Sequence, residues 1–315
     1  MVTTVVADRP LVLALREDLL GTWDLATGAV SDRPISFSAR DRQGRPVPVY
    51  GSALATAVVD ARPIAVVGQY GPTGAVRLML WDLATGRPSG ALAVPGRAAV
   101  CALATTTVDG HPTAVTGDGN GRVRLWDLAG RREIAPVARL GHADVVASVA
   151  SVVLQGHPVA VTLSSGGYGE HALRVWDLST GRQVGEPLHP DFCSMTRMAA
   201  MSVDGWAMVV TEGDGQLWLW DLAGRQLVQG PITDCPRTAG ATTMITMTIE
   251  GRPVAVTGGH GGDGRVRVHP LLTGAQVAPE PDVVFPQPVT ALAAAPDDGL
   301  LVGFGQQIAL LERMS

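Results

Sequence analysis

The sequence predicts an all-β protein made of seven tandem, four-stranded antiparallel units, and three observations carry that prediction. A Trp-Asp pair recurs at residues 23, 81, 126, 176 and 220, inside the words WDLATG, WDLAG and WDLSTG. Spacings between those tryptophans are 58, 45, 50 and 44 residues, and two degenerate copies, His269 in VRVHPLLTG and Leu311 in IALLERMS, extend the series by 49 and 42. Short apolar runs opened by a turn stand upstream of the pairs: DRPLVLAL at 8, ARPIAVVG at 61, GHPTAVTG at 110, GHPVAVTL at 156 and GRPVAVTG at 251.

The third unit serves as a template for the elements. AAVCALATTTV at 98–108 reads as a first strand, rich in β-branched residues and free of helical periodicity. Asp109 and Gly110 supply a tight hairpin turn, and PTAVTG follows as a second strand. Its proline costs no ladder bond, because the missing N–H falls at the start of the strand. RVRLWD at 122–127 is the third strand and REIAPV at 132–137 the fourth.

The recurring word has a physical meaning. An indole at the end of a third strand is large enough to fill the wedge between neighbouring twisted sheets, burying roughly 150–250 Å². The aspartate after it can accept hydrogen bonds from the backbone of the following turn, and the glycine four residues on supplies a left-handed position. Trp23, Asp24, Trp81, Asp82, Trp126, Asp127, Trp176, Asp177, Trp220 and Asp221 are therefore read as structural.

Five literal Trp-Asp pairs in VRLWDLATG-like surroundings resemble the WD-repeat (WD40) β-propeller family across essentially the whole chain. The resemblance implies that the units are blades closed into a seven-bladed ring, a single domain over residues 1–315. It also implies a hydrogen-bond network of a Gly-His pair, an aspartate six residues before the tryptophan, and a Ser or Thr. Here Gly141-His142 is the one clear Gly-His, and its place is taken by Val47, Arg97, Asp191, Arg237 and Phe285 elsewhere. The aspartate is present as Asp214 and Asp263 but is Asn120 and Glu170 in blades three and four; Thr116, Thr162, Thr211 and Thr257 are kept. Stability is expected to rest mainly on apolar packing between sheets.

Only Glu312 to Ser315 follow Leu311, and Met1 aligns midway through the first template strand. Blade seven is therefore expected to lack its outer strand. Either the sequence is a segment of a longer polypeptide, or an open edge of blade seven is fused to or pairs with another domain.

Composition narrows the function classes. With 29 acidic against 24 basic residues, all arginine, the net charge is -5, which argues against nonspecific phosphate binding and so against a nucleic-acid partner. The arginine-only basic set, with abundant Ala, Gly and Val, points to codon bias of a high-GC bacterial genome. Cys101, Cys193 and Cys235 form no paired motif and no even-numbered disulfide framework. The N-terminus makes a poor signal peptide and no run of 18 apolar residues exists, so the expectation is a cytoplasmic chain without membrane association.

Nothing in the sequence argues for catalysis, a metal or a cofactor. GDGNG at 117–121, GDGQ at 213 and GGDGR at 262 lack the later ligands of a calcium loop and read as hairpin turns. The seven histidines share no metal-ligand spacing, and no G-x-S-x-G or catalytic cysteine setting is present. The expected role is a noncatalytic scaffold or docking propeller for a protein or peptide, resembling repeat arrays of bacterial multidomain signalling proteins. The alternative is a small-molecule-binding or hydrolytic propeller with an axial site. Family resemblance implies contacts on the face carrying the loops before the first strands, which hold Arg97, His142, Asp144, Asp191, Phe192, Arg237 and Phe285. The non-repeat segment at 31–51 reads either as a solvated loop or as a contact loop on that face.

Overall fold

A computed structural model describes residues 1–16, 18–31, 34–40, 43, 45–71, 74–134, 145–165, 171–189, 195–232, 241–259, 262–272, 282–295 and 298–312. It is a seven-bladed β-propeller, with no α-helix among the described residues. Blade one is β1 (Val2–Val6), β2 (Arg9–Arg16), β3 (Leu19–Asp24) and β4 (Ile35–Ser36), followed by a separate ribbon of β5 (Ser38–Arg40) and β6 (Pro46–Pro48). Blade two is β7 (Tyr50–Val59), β8 (Arg62–Tyr70), β9 (Val76–Asp82) and β10 (Arg87–Val94). Blade three is β11 (Val100–Val108), β12 (His111–Asp118), β13 (Val123–Asp127) and β14 (Arg132–Glu133). Blade four is β15 (Val146–Leu154), β16 (His157–Ser164), β17 (Leu173–Asp177) and β18 (Arg182–Gln183). Blade five is β19 (Arg197–Val203), β20 (Trp206–Gly213), β21 (Gln216–Asp221) and β22 (Gln226–Gln229). Blade six is β23 (Thr243–Ile249), β24 (Arg252–Gly258), β25 (Arg265–Pro270) and β26 (Val283–Val284). Blade seven has three strands among the described residues, β27 (Val289–Ala294), β28 (Leu300–Phe304) and β29 (Gln307–Leu311).

Register confirms the repeat residue by residue. Ala114 on β12 faces Trp126, Ala160 on β16 faces Trp176, and Ala255 on β24 faces His269. The same alignment puts Leu311 opposite Leu300, so both degenerate copies occupy the tryptophan position. In blades one to six, first and second strands are joined by two-residue turns whose residues both have positive φ, as at Asp109 (50°) and Gly110 (80°), the primed geometry that matches strand twist.

The WD turn closes as its residues dictate. Asp24 Oδ1 accepts from the Ala26 and Thr27 backbone N–H groups at 2.9 and 3.1 Å, and Asp82 and Asp177 do the same in their own turns. Gly28, Gly86 and Gly181 hold φ near 66–69°. In the shorter word WDLAG the left-handed position passes to Arg131 and Arg225, both at φ 53°, because the glycine there stands one place too early.

Each tryptophan packs on the blade before its own. Trp81 packs with Leu13 and Leu20 of blade one; Trp126 with Ile64 and Leu78 of blade two; Trp176 with Val115 and Leu125 of blade three; Trp220 with Val161 and Val175 of blade four. Trp23 closes the ring against Ala293 and Leu301 of blade seven. Burying each indole contributes about 4–6 kcal/mol before chain entropy is counted. The indole N–H also finds a buried partner: Thr116, Thr162 and Thr211 accept from Trp126, Trp176 and Trp220 at 2.9 Å. His269 keeps the same bond with Thr257, also at 2.9 Å, which explains how it replaces an indole. Trp81 Nε1 has no such partner, because Val67 stands where blades three to six have threonine.

A second ring runs around the axis. Thr105 Oγ1 donates to the carbonyl of Thr56 on the previous blade, Ser151 to that of Thr105, and Thr246 to that of Ala200, at 2.6, 3.1 and 3.1 Å. All lie at one register level of the innermost strands, opposite the residue that faces the tryptophan position.

Candidate docking faces

Antiparallel order fixes two faces of the disc. Loops that enter first strands and loops joining second to third strands share one face; first-second hairpins and WD turns share the other.

On the first face, blade two gathers the most distinctive surface. Phe37 and Val49, 5% and 1% exposed, sink into the seam between blades one and two, Phe37 with its ring centroid 6.0 Å from that of Trp81. Between these two pegs the segment forms the β5–β6 ribbon, with Ala39 facing Val47. The described residues of the 31–51 insertion thus form a two-stranded ribbon pegged on both sides by Phe37 and Val49.

Tyr50 and Tyr70 pair across the start of β7 and the end of β8, ring centroids 5.6 Å apart, with Tyr70 39% exposed. The turn after β8 is closed by Gly74 N–H donating to Gly71 O at 2.9 Å, with Gly74 at φ 73°. A Cβ placed on Gly74 would lie 3.5 Å from Arg97 Cδ, so the exposed Arg97 stem rests along this turn. An anchored ribbon, a tyrosine pair and an arginine therefore meet at one corner of the first face.

Of the residues the resemblance puts on this face, Arg97 and Phe285 are described. Phe285 is half-buried, its ring 4.7 Å from that of Phe304 and its N–H donating to Gly264 O at 2.8 Å, so much of its surface is committed to the seam between blades six and seven. His142, Asp144, Asp191, Phe192 and Arg237 lie outside the described residues.

Two buried acids shape this face; the sequence marks Asp118 only as a turn residue and does not single out Glu212. Asp118, 3% exposed, caps its turn by accepting from the Asn120 and Arg122 N–H groups at 2.9 and 3.0 Å. Its other oxygen accepts from Arg124 Nη1 at 2.8 Å, while Arg124 Nη2 donates to Pro95 O in the preceding linker at 3.0 Å. Glu212, fully buried, accepts from Gly215 N, from Ala241 N of the next blade, and from Thr196 Oγ1 at 3.1, 3.2 and 2.9 Å. Both stand eight residues before their tryptophans, where the family pattern places its aspartate six before. Asp118 and partial desolvation together raise the Cys101 thiol above its ordinary range, desolvation being the larger cause.

The opposite face carries Arg9, Arg62, His111, His157, Trp206 and Arg252 at the first position of six second strands. Arg9 and Arg62 reach the WD aspartates Asp24 and Asp82 at 3.6 and 3.8 Å. Trp206 breaks the pattern as an indole 60% exposed, also unnoticed in the sequence because it lies outside the repeat word.

Among the described residues no three His, Cys, Asp or Glu side chains group closely enough to hold a metal ion. No described helix is long and apolar enough to cross a membrane.

Comparison with known proteins bears on the fold. No family model matches the chain, and no curated protein matches it. A solved chain from "Crystal Structure of Mitotic Checkpoint Complex" superposes with a TM-score of 0.67 at 14% identity, covering 95% of this chain and 84% of that one. In all, 1111 solved chains match, so the ring by itself does not select a function. The chain is similar to these structures in its seven-bladed propeller architecture.

Proposed function

We propose that this propeller is a noncatalytic docking scaffold that binds a protein or peptide through the first face of blade two. The observation that carries this reading is the convergence there of the ribbon pegged by Phe37 and Val49, the Tyr50–Tyr70 pair and the exposed Arg97. Tyrosine and arginine supply contact area and directed hydrogen bonds at little conformational cost, and they dominate measured binding hot spots. The seams beneath are densely packed, so these groups are held by a rigid ring. Similarity to a chain of an assembled complex agrees with a protein partner. On this reading the chain works as a cytoplasmic sensing or docking module of a bacterial signalling protein.

The test is partner recovery by affinity capture with crosslinking, comparing the native chain with Arg97→Ala, Tyr70→Ala and a variant whose residues 38–48 are replaced by a short Gly-Ser linker. Trp206→Ala on the opposite face serves as control. Loss of the same partner in the three first-face variants, with retention in the control, supports the assignment; equal recovery throughout removes it.

A further inference from the structure

We propose that the first-face corner of blade two is a carboxylate-recognition site, and that it takes an extended segment of a partner polypeptide bearing Asp or Glu. The chemistry assigned here belongs to the docking surface proposed above and rests on that reading.

Blade two carries no acid on this side. Across residues 49–97 the only carboxylates are Asp60, in the β7–β8 turn, and Asp82, in the WD turn, and both turns belong to the opposite face. On the first face the same stretch has Arg77 at the start of β9 and Arg97 in the linker to β11. Arg77 is half-buried and Arg97 exposed, and among the described residues neither has an acidic partner. Three first-face arginines elsewhere are neutralised within the fold: Arg124 by Asp118 at 2.8 Å, Arg265 by Asp282 at 3.0 Å and Arg267 by Asp263 at 2.8 Å.

The register shows why the charge stays open in blade two. Gln69 on β8 occupies the position that Asp118 holds on β12, two residues beyond Val67 and Thr116 respectively. It faces Arg77 across the ladder, and its side chain follows Ala65 and Val67 onto the face turned toward blade one. An amide at this position cannot neutralise a guanidinium as Asp118 does for Arg124. Gln69 is 3% exposed and its Nε2 has no acceptor, so a buried donor stands open beside an unneutralised cation. Leaving a buried donor unpaired is unfavourable, and a group that brings an acceptor is favoured there.

The corner is thus a set of donors. Arg77, Arg97 and Gln69 Nε2 donate only, and the Tyr50 and Tyr70 hydroxyls donate as well. Their complement is a planar, anionic, acceptor-only group, a carboxylate held in the bidentate geometry that arginine favours. The Arg97 stem lies along Gly74, three residues before Arg77, so the two arginines leave the surface within about 15 Å of each other. Carboxylates on alternate residues of an extended chain are about 7 Å apart, and the flexible arginine stems cover the difference. With a net charge of -5 the chain as a whole repels anions, so an acidic segment is held by local pairing here rather than by a general field.

The experiment titrates the peptide AEAEAEA into the native chain carrying isotope-labelled arginine and follows the side-chain Nε–Hε signals by NMR, with AQAQAQA as the neutral control. Arg77→Lys and Arg97→Lys assign the two signals by their disappearance. AEAEAEA should shift both signals saturably and AQAQAQA neither, and added salt should weaken binding. Arg97→Gln should weaken it about fivefold or more, and Arg97→Lys less, because lysine keeps the charge but loses the fork. Gln69→Glu places a carboxylate beside Arg77 and should also cost about fivefold or more, by supplying from within what the peptide brings. Arg77→Gln removes the same pairing without adding a charge to the seam and should act in the same direction, which keeps the test intact if Gln69→Glu does not fold. Arg252→Gln on the opposite face should change nothing.

The proposal falls if AEAEAEA and AQAQAQA act alike, if neither signal moves, or if only a phosphoserine peptide of the same spacing binds. Partner capture with the first-face variants decides the docking reading separately. Loss of the partner in Arg97→Ala while AEAEAEA leaves both signals unmoved keeps the docking corner and removes the carboxylate chemistry; binding of AEAEAEA with partner recovery unchanged does the reverse.

Discussion

Thr3 Oγ1 donates to the carbonyl of Ala294 at 3.0 Å, joining residues 291 apart in sequence. The bond belongs to the axial belt in which Thr105, Ser151 and Thr246 do the same at other seams, and it is the member that joins blade one to blade seven. Among the described residues, the seam between those blades also holds the cluster of Val12, Ala293 and Leu301, with Trp23 packed against it. Thr3→Val should cost about 0.5–1.5 kcal/mol, read as a lower urea midpoint, while Thr3→Ser should be close to neutral. Ala200 lacks a hydroxyl at this level, and Ala200→Ser should raise the midpoint by giving the carbonyl of Ser151 a donor.

The seams should respond to volume more than to the hydroxyl beneath each indole. Trp126→Ala removes a wedge that is 1% exposed and should destabilise by about 3–5 kcal/mol. Thr116→Val keeps the volume but recreates at Trp126 the unpartnered indole N–H of Trp81, and should cost about 1–2 kcal/mol. Chemical denaturation that ranked the two the other way would overturn the order.

How far the sequence reaches can be judged at these positions. The tryptophan positions, their aspartates and Thr116 were legible because a repeated word aligns one blade with the next, down to Leu311 and His269. The corner at blade two was not, because Phe37, Tyr70 and Arg97 are brought together by closure of different blades and leave no periodic trace. Arg97 stood out only by alignment with other loops. Asp118 was read as a turn residue, correctly, yet its ion pair with Arg124 depends on how strand β13 sets that arginine against Pro95.

That ion pair is nearly dry, with side chains 8% and 4% exposed for Arg124 and Asp118. Asp118→Ala leaves the guanidinium buried without its main partner and uncaps the turn, and should cost about 3–5 kcal/mol, a loss larger than that of Arg132→Ala, whose side chain is 70% exposed where it pairs with Asp127. Thermal unfolding of the two alanine variants side by side checks the difference.

Cys101 offers a local readout of the same acid. Desolvation first and the Asp118 charge second hold the thiol above its ordinary range, so less thiolate is present at a given pH. Peptide-resolved alkylation at pH 8 should modify Cys101 more slowly than free cysteine. Asp118→Asn removes the negative charge, lowers the thiol toward its ordinary range, and should speed the reaction; an unchanged rate would contradict the electrostatic coupling.

Because every indole leans on the blade before its own, each blade emerging from the ribosome waits for its successor to cover it. Blade seven alone is covered by a group made at the start, Trp23, which stays without its counter-surface until translation has passed Leu301. Vectorial synthesis therefore leaves this seam to form only after Leu301 has been made, later than the seams between consecutive blades before it.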